Sequence, residues 1–330
     1  MSQAYLEQEP WPAVENDCPP NARAVVRVAN DFLLRGLDAM ARQAGDDLIL
    51  ALVFNAMATA NLRRITQSAA NLEYGGIDQV PPDALRTPAS ILAIANSLRI
   101  PYETVRRTVH ILLGRGLCRR VSHRGYIVPA EIDNRPEERR ALALGHASLL
   151  RLLADLKRAG FDFEPYRAIL PQTVPTPPDG GLPPNVRACA RFAAEIVMRG
   201  IDTLGHIHGD DFLAALVFTA IWTANVQHIT ASPDNLTFGG LRNLPPDEAR
   251  RPVPVSAIAA ALRIPYETVR RCVARLTREG KAVRVARKGV IIPRDKLATA
   301  VGFDTVRSSN INIARLVSQL HRAGFDFSGY

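Results

Sequence analysis

Two identical nine-residue strings, RIPYETVRR, stand at residues 99–107 and 263–271 and combine arginine, glutamate, threonine and tyrosine side chains suited to a charged partner. An arginine fork can bind a phosphate or the O6 and N7 edge of a guanine, and a glutamate can aim that fork or accept from a cytosine N4. Threonine and tyrosine hydroxyls can add hydrogen bonds to phosphate oxygens. These residue types favour contact with a nucleic acid.

The elements that position these side chains follow from the residues around the first string. Residues 89–98 place apolar side chains at helical spacing behind Ser90, a residue type that caps helix N-termini. A second helix follows after a tight connection, with one apolar face formed by Val105, Val109 and Leu112. Residues 117–121 and 126–128 then predict the two strands of a basic hairpin.

The strings LRIPYETVRRTVHILLGRGLCRR and LRIPYETVRRCVARLTREGKAVR resemble bacterial winged helix-turn-helix regulators, particularly the gluconate-repressor (GntR-like) type. The resemblance covers residues 89–129 and 253–293 and implies that the helix containing TVRR is a recognition helix. Pro101 and Pro265 stand where the family often has a capping serine, a departure at the helix entry. The implied fold class is mainly α, with a small β-hairpin wing in each of two duplicated domains that also contain a helical segment.

The outward face of the first recognition helix follows from a turn of about 100° per residue. The predicted DNA-binding residues on it and at its leading end are Tyr102, Glu103, Thr104, Arg106, Arg107 and His110. We expect Arg107 to read a guanine, a contact worth about 1 to 3 kcal/mol, and Arg106 and Thr104 to contact phosphates. Glu103 either aims Arg107, accepts from a cytosine, or merely suits the helix dipole. The second copy supplies Tyr266, Glu267, Thr268, Arg270 and Arg271.

The tips of the two predicted hairpins supply the wing residues. These are His123 and Arg124 in the first copy, matched by Arg287 and Lys288 in the second. They either contact DNA or form a solvated basic hairpin, and the sequence leaves both readings open.

The positive charge of the chain is concentrated in these two segments. Residues 99–128 hold seven arginines against Glu103, a net charge of +6, and residues 263–292 carry +7. Since the whole chain carries +9, everything outside them sums to −4. The charge falls partly on a hairpin, whereas a membrane-surface protein is expected to use a basic amphipathic helix with bulky apolar residues opposite.

The whole chain is duplicated at an offset of 164 residues. Pro19-Pro20-Asn21 recurs as Pro183-Pro184-Asn185, and RAGFDF closes both copies. A period this long indicates two equivalent domains rather than a solenoid. The predicted organisation is an N-terminal tail (1–18), a first repeat (19–169), a linker (170–182) and a second repeat (183–330).

Helices outside the two motifs are predicted in each repeat: residues 22–43 and their counterpart from Val186, the apolar runs behind Asp46 and Asp210, and about residues 137–159. We expect the two apolar helices to be buried and to pack near each other across a pseudo-dyad, although a separate core in each repeat is equally compatible. Asn61 and Asn225, which end those helices, are predicted to be structural caps rather than ligand contacts.

Several function classes find no support in the sequence. It has no glycine-rich phosphate loop, nucleophile motif or metal-ligand cluster, so we predict a non-enzyme without cofactor. His206 and His208 suggest metal ligation, but the first repeat has Arg42 and Ala44 there, and we predict no metal. Four scattered cysteines indicate neither a disulfide framework nor a zinc site. No secretory signal is visible, and the apolar runs of about 13 residues are too short to span a bilayer. We therefore predict a bacterial cytoplasmic protein without a membrane partner.

The sequence as a whole predicts a transcriptional regulator that binds double-stranded DNA as a single-chain pseudo-dimer. Its two recognition helices would read related half-sites about one helical turn, roughly 34 Å, apart. One alternative is a replication-initiation or chromosome-maintenance protein with tandem winged helices. Another is a pair of protein-interaction winged helices, against which the local charge argues. The DNA target, the sign of regulation, a small-molecule effector and further self-association are left open.

Overall fold

The computed structural model describes residues 18–123, 125–175, 177, 181–208 and 211–330. Within these residues the chain is mainly α-helical and carries two small antiparallel two-stranded hairpins, which confirms that part of the predicted fold class. The predicted wing residue Arg124 and the predicted tail up to residue 17 lie outside the described residues.

Both repeats have the same order of elements, in which two long helices precede two shorter ones, a hairpin and a final long helix. The first repeat contains α1 (Ala22–Gln43), α2 (Leu48–Thr66), α3 (Ala70–Glu73), α4 (Ile91–Leu98), α5 (Tyr102–Gly114), β1 (Arg119–Ser122), β2 (Gly125–Ile127), α6 (Ala130–Asp133) and α7 (Pro136–Arg158). The second contains α8 (Val186–His208), α9 (Phe212–Thr230), α10 (Asp234–Thr237), α11 (Val255–Leu262), α12 (Tyr266–Arg278), β3 (Val283–Val285), β4 (Gly289–Ile291) and α13 (Ala300–Arg322). The bounds of α1 and the start of α8 are those predicted, and the first hairpin's strands lie within two residues of their predicted positions.

Short local signals begin the helices. The Asp47 carboxylate accepts a hydrogen bond from the N–H of Leu50 at 2.9 Å and caps α2. Ser90 caps α4 through the N–H of Ala93 at 3.1 Å, as its residue type predicts. Between α4 and α5, Arg99 takes a left-handed φ of 51°, which turns the chain sharply between the two helices.

The two repeats share one hydrophobic core, so the alternative of a separate core in each half is wrong. α1 packs on α9 and α13 of the second repeat, and α8 packs on α2 and α7 of the first. The two apolar helices were expected to pack near each other, but they make no extensive contact within the described residues. α2 packs on α1 and then on α8, and α9 packs on α8 and then on α1. Each first helix therefore packs on helices of both repeats.

α1 and α8 cross at positions that are equivalent in the two repeats. A Cβ atom added at Gly200 would lie 3.3 Å from the side chain of Leu33, and one added at Gly36 would lie 3.5 Å from Val197. Both glycines and both apolar residues correspond under the 164-residue offset. The two helices therefore approach closely where each has no side chain.

Two arginines, Arg27 buried and Arg191 half-buried, hold the repeats together. Arg27 on α1 donates to the side-chain and backbone oxygens of Asn235 and to the carbonyl of Phe238, at 2.7 to 2.9 Å. Arg191 on α8 makes the corresponding three bonds to Asn71 and Tyr74, at 2.7 to 2.9 Å. Burial lowers the pKa of each of these arginines to about 10, so both remain charged at neutral pH. Each first helix is thus fastened to the loop that follows the other repeat's apolar helix.

The helices α2 and α9 are longer than the apolar runs that predicted them. Each has 19 residues and is apolar enough to cross a membrane by length and composition. However, 50% of the most apolar window of α2 and 72% of that of α9 are buried inside the protein. Their apolar character is therefore accounted for by the shared core against which they pack.

Candidate nucleic-acid interface

Each repeat presents a compact unit of two helices and a hairpin, the first at residues 89–129 and the second at residues 253–293. In the first unit α4 packs on α5, and both rest on α2. The inward residues of α5 are as predicted, since Val105, Val109 and Leu112 are each 0% exposed. α2 therefore forms the platform from which the opposite face of α5 points into solvent.

A third backbone segment joins each hairpin. The backbone N–H of Ala89 donates to Tyr126 and the N–H of Tyr126 donates back, both at 2.9 Å. Val253 and Val290 form the matching pair at 3.1 and 2.9 Å. A Cβ added at Gly289 would lie 2.3 Å from the Val253 carbonyl oxygen, so this close approach requires glycine. The start of each unit is thereby tied to its hairpin.

The predicted outward residues of α5 lie on its solvent face. Tyr102, Glu103, Thr104, Arg107 and His110 are exposed, and Arg106 is half-buried. In α12 the exposed set is Tyr266, Glu267, Arg270 and Arg271, with Thr268 half-buried. The solvent face of each helix is therefore the one predicted from the 3.6-residue periodicity.

Glu103 organises the two arginines that follow it. Its carboxylate accepts two hydrogen bonds from Arg106, through Nε and Nη2, both at 2.8 Å. It accepts a third from Nε of Arg107 at 3.0 Å. Hydrogen bonds from Arg106 and then Arg107 lower the pKa of the Glu103 carboxyl to about 2. The carboxylate is therefore ionised at neutral pH and does more than suit the helix dipole.

The second copy repeats this arrangement with one difference. Glu267 accepts two bonds from Arg270 at 2.7 and 2.8 Å, and these bonds lower the pKa of the Glu267 carboxyl. Nε of Arg271 bonds the Glu267 backbone oxygen at 3.4 Å and lies 3.7 Å from the carboxylate. In both copies the Nη groups of the second arginine make no hydrogen bond within the described part of the chain. That arginine keeps its planar fork available.

The hairpin tips extend beside these helices. His123 is exposed, as are Arg287 and Lys288, while Arg124 lies outside the described residues. Arg287 has a left-handed φ of 56°, and the N–H of Lys288 closes the turn onto Val285 at 3.0 Å. The second tip thus presents two adjacent cationic side chains.

Tertiary contacts neutralise part of the charge counted in the sequence. Arg119 on β1 meets Asp83 at 2.5 Å, and Arg275 on α12 meets Asp211 at 2.5 Å. Both acids lie outside the segments from which +6 and +7 were counted. The positive charge open to a partner is consequently concentrated on the outer faces of α5 and α12 and on the hairpin tips.

Ion pairs between the repeats hold the turn between the two helices of each unit. These ion pairs were not predicted from the sequence. Arg263 bonds Asp38 at 2.7 Å and Asp46 at 2.5 Å, both on the first repeat. Arg99 lies 3.4 Å from Asp202 on the second repeat. Asp38 and Asp202 are equivalent under the offset, as are the two arginines, and that matched pairing was the available signal. The turns between the unit helices are therefore positioned by the opposite repeat.

Asn61 and Asn225 are structural, as predicted, but the prediction that they cap helices is wrong. α2 and α9 continue to Thr66 and Thr230, so neither asparagine ends a helix. The fully buried Asn61 amide instead donates to Thr87 at 2.7 Å and Tyr126 at 3.1 Å and accepts from Val128 at 2.9 Å. Asn225 makes the same three bonds to Arg251, Val290 and Ile292, at 2.8, 3.0 and 2.9 Å. Each asparagine thereby joins a core helix to a hairpin.

His206 and His208 are the residues whose types suggested a metal site. The side chains of His206 and His208, and all of Asp210, lie outside the described residues. Among the residues whose placement is described, no three histidine, cysteine, aspartate or glutamate side chains form a group that could hold a metal.

Comparison of the chain with known protein families, with curated proteins and with solved structures gives no match.

Proposed function

We propose that this protein is a transcriptional regulator that binds double-stranded DNA in a sequence-specific way through two winged helix-turn-helix units. The observation that carries the proposal is the exposed Tyr-Glu-Thr-x-Arg-Arg face, which α5 and α12 present in nearly the same conformation. The three-segment hairpins beside these helices support the winged reading. The cross-repeat ion pairs support a fixed pseudo-dimer, because a rigid pair of units favours half-sites of fixed spacing.

The two arginines in each copy have different proposed roles. Arg107 and Arg271 are about three-quarters exposed and keep their Nη groups available for the O6 and N7 atoms of a guanine. Arg106 and Arg270 are held by both oxygens of the preceding glutamate, which leaves one Nη group of each for a phosphate. The glutamate stiffens both side chains before DNA is met and so lowers the ordering cost of binding.

The first test is selection of bound sequences from a random duplex library at moderate salt, followed by titration of the best site against salt. We expect two related half-sites about one helical turn apart. If about six phosphates are contacted, log K should fall with log salt at a slope near −5. Retention of DNA without any enriched motif would contradict sequence-specific regulation and favour a maintenance role.

A pair of double variants separates base reading from charge. Arg107→Ala with Arg271→Ala removes two base contacts, so affinity for the selected site should fall at least about thirtyfold. Arg140→Ala with Arg322→Ala removes the same charge from exposed positions on α7 and α13, outside both units, and should change affinity less than about threefold. Equal losses in the two double variants would contradict base reading. Undiminished binding with a flat salt response would favour a protein partner instead.

A further inference from the structure

A cavity of about 280 Å³ lies between the two repeats. Its walls come from α1, α8, α9 and α13, the helices that build the shared core. Most of the lining is apolar and includes Phe32, Ile196, Phe218, Trp222, Val301 and Ile313. The cavity is therefore suited to an apolar group, and the polar side chains in its wall decide which other groups it accepts.

Arg23 on α1 is a buried cation in this wall. It is 3% exposed, donates to the backbone oxygens of Leu241 and Leu297, and lies over the ring of Phe303 at 5.2 Å from the centroid. Burial, followed by the nearby arginines, lowers the pKa of Arg23 to about 9. Within the described part of the chain, no carboxylate lies within 4.0 Å of its guanidinium. A buried charge without a counter-ion is costly and favours an anion.

The corresponding site of the other repeat differs at one charged position. Arg187 occupies the position of Arg23 under the 164-residue offset, and Asp133 occupies the position of Leu297. Arg187 donates to the Asp133 backbone oxygen at 2.9 Å, and the Asp133 charge raises the Arg187 pKa against the effect of burial. The Asp133 carboxylate itself pairs with Arg86 at 2.6 Å. The cavity of about 510 Å³ that Arg187 and Asp133 line therefore has an acid in its wall, where the cavity beside Arg23 has the apolar side chain of Leu297.

Asn30 is a second polar side chain of the cavity wall and lies on α1, seven residues after Arg23. It is 8% exposed, and its amide makes no hydrogen bond to any residue in the described ranges. The amide is not sealed off by protein atoms and lies in the cavity wall. An amide N–H₂ group in the wall can donate to an oxygen of a molecule in the cavity, in addition to the guanidinium of Arg23.

We infer that this cavity binds a small organic molecule with one carboxylate and an unbranched apolar chain. The carboxylate binds beside Arg23, and the apolar chain fills the space lined by Trp222. A cavity of about 150 Å³ accommodates benzene, so 280 Å³ accommodates roughly a dozen heavy atoms. Octanoate, with ten heavy atoms, fits that limit.

The position of the site connects it to the unit helices. α9 contributes Phe218 and Trp222 to the cavity and also packs on α12. A ligand in the cavity would therefore affect how the two units are positioned relative to each other. Its consequence for DNA binding rests on the proposed function. Binding of the ligand does not rest on it, so the experiment measures binding to the protein alone.

The experiment titrates octanoate into the full chain and follows Trp222 fluorescence. The chain has two tryptophans, so Trp11→Phe leaves Trp222 as the sole reporter. We expect saturable binding of octanoate that is at least about tenfold tighter than that of octan-1-ol, which has the same chain without the charge. Equal affinity for both probes, or saturation by neither, would overturn the proposal.

Two substitutions at one position test the role of Arg23. Leu297→Asp introduces the residue of the other repeat and places a carboxylate in the cavity wall, where it competes with the ligand carboxylate, so it should weaken octanoate binding about tenfold or more. Leu297→Asn introduces a polar group of similar shape without charge and should change binding less than about threefold. Both variants are first shown to melt cooperatively. Equal effects of the two variants would overturn the assignment of the carboxylate to Arg23.

A third variant tests the nearest alternative source of a carboxylate, the chain itself. Glu15 and Asp17 precede Cys18, whose charge acts on Arg23. In Glu15→Gln with Asp17→Asn, octanoate should bind about as tightly as in the parent protein. Octanoate binding that appears only in this double variant would overturn the proposal and assign the site to the N-terminal segment.

Discussion

Removal of the Asn61 side chain tests how the core holds the first unit. In Asn61→Ala the Val128 N–H, on a residue that is 0% exposed, loses its side-chain acceptor, which costs about 2 kcal/mol. The Thr87 carbonyl loses a 2.7 Å bond, for about 1 kcal/mol more. The Tyr126 carbonyl retains the donor from Ala89 and adds little. We therefore expect a loss of about 3 kcal/mol in the free energy of unfolding.

The assay is urea unfolding followed by far-ultraviolet circular dichroism. With an m-value of about 3 kcal/mol/M, the midpoint should fall by about 1 M. Asn55→Ala is the matched control on the same helix, because the Asn55 amide makes one bond, to the Ala51 carbonyl within α2. That control should cost less than about 1 kcal/mol.

Two results would refute this reasoning about Asn61. If Asn61→Ala and Asn55→Ala lowered the midpoint equally, the long-range bonds to the hairpin would carry no special weight. If Asn61→Ala lowered the midpoint by much less than expected while Asn225→Ala lowered it by about 1 M, the two hairpins would not be held alike.

Two further predictions concern the charged networks. In Glu103→Gln with Glu267→Gln, the arginines lose their ionised partner and the outer faces lose two negative charges. Affinity for a scrambled duplex should therefore rise, and the preference for the selected site should fall about tenfold. Binding of both duplexes at fixed salt measures this, and an unchanged ratio would contradict the aiming role. Although burial raises the pKa of the Asp38 carboxyl, hydrogen bonds from Arg42 and Arg263 outweigh it and leave the pKa below its ordinary value. Its stabilisation is therefore present above the unfolded pKa of about 4 and lost as pH falls through the folded pKa, so Asp38→Asn should flatten the acid side of the stability curve. Parallel curves for Asp38→Asn and the parent protein would count against this cross-repeat contact.

Local patterns in the sequence determined the helices and the inward face of each unit. The limits of α1 and the caps Asp47 and Ser90 depend on residues within one or two turns of each other, which a single sequence displays. The inward face of α5 follows from 3.6-residue periodicity for the same reason. Because the chain is duplicated, each of these local arguments could be made twice.

The tertiary structure alone decided which residues far apart in sequence meet. Arg27 and Asn235 are separated by 208 residues, and their bond exists only because α1 packs on the opposite repeat. Asn61 looked like a cap because its partners, 26 to 67 residues away, give no local signal.

Charge shows the same division. The sequence determined how many arginines each unit has, but folding decided which of them, such as Arg119 and Arg275, meet acids from other segments. Folding likewise decided that Leu297, where the first repeat has Asp133, lines the same cavity as Arg23. Periodicity and capping act over a few residues. The packing of one repeat on the other depends instead on side-chain burial and ion pairs between residues far apart in the chain. The sequence alone does not show which residues make those contacts.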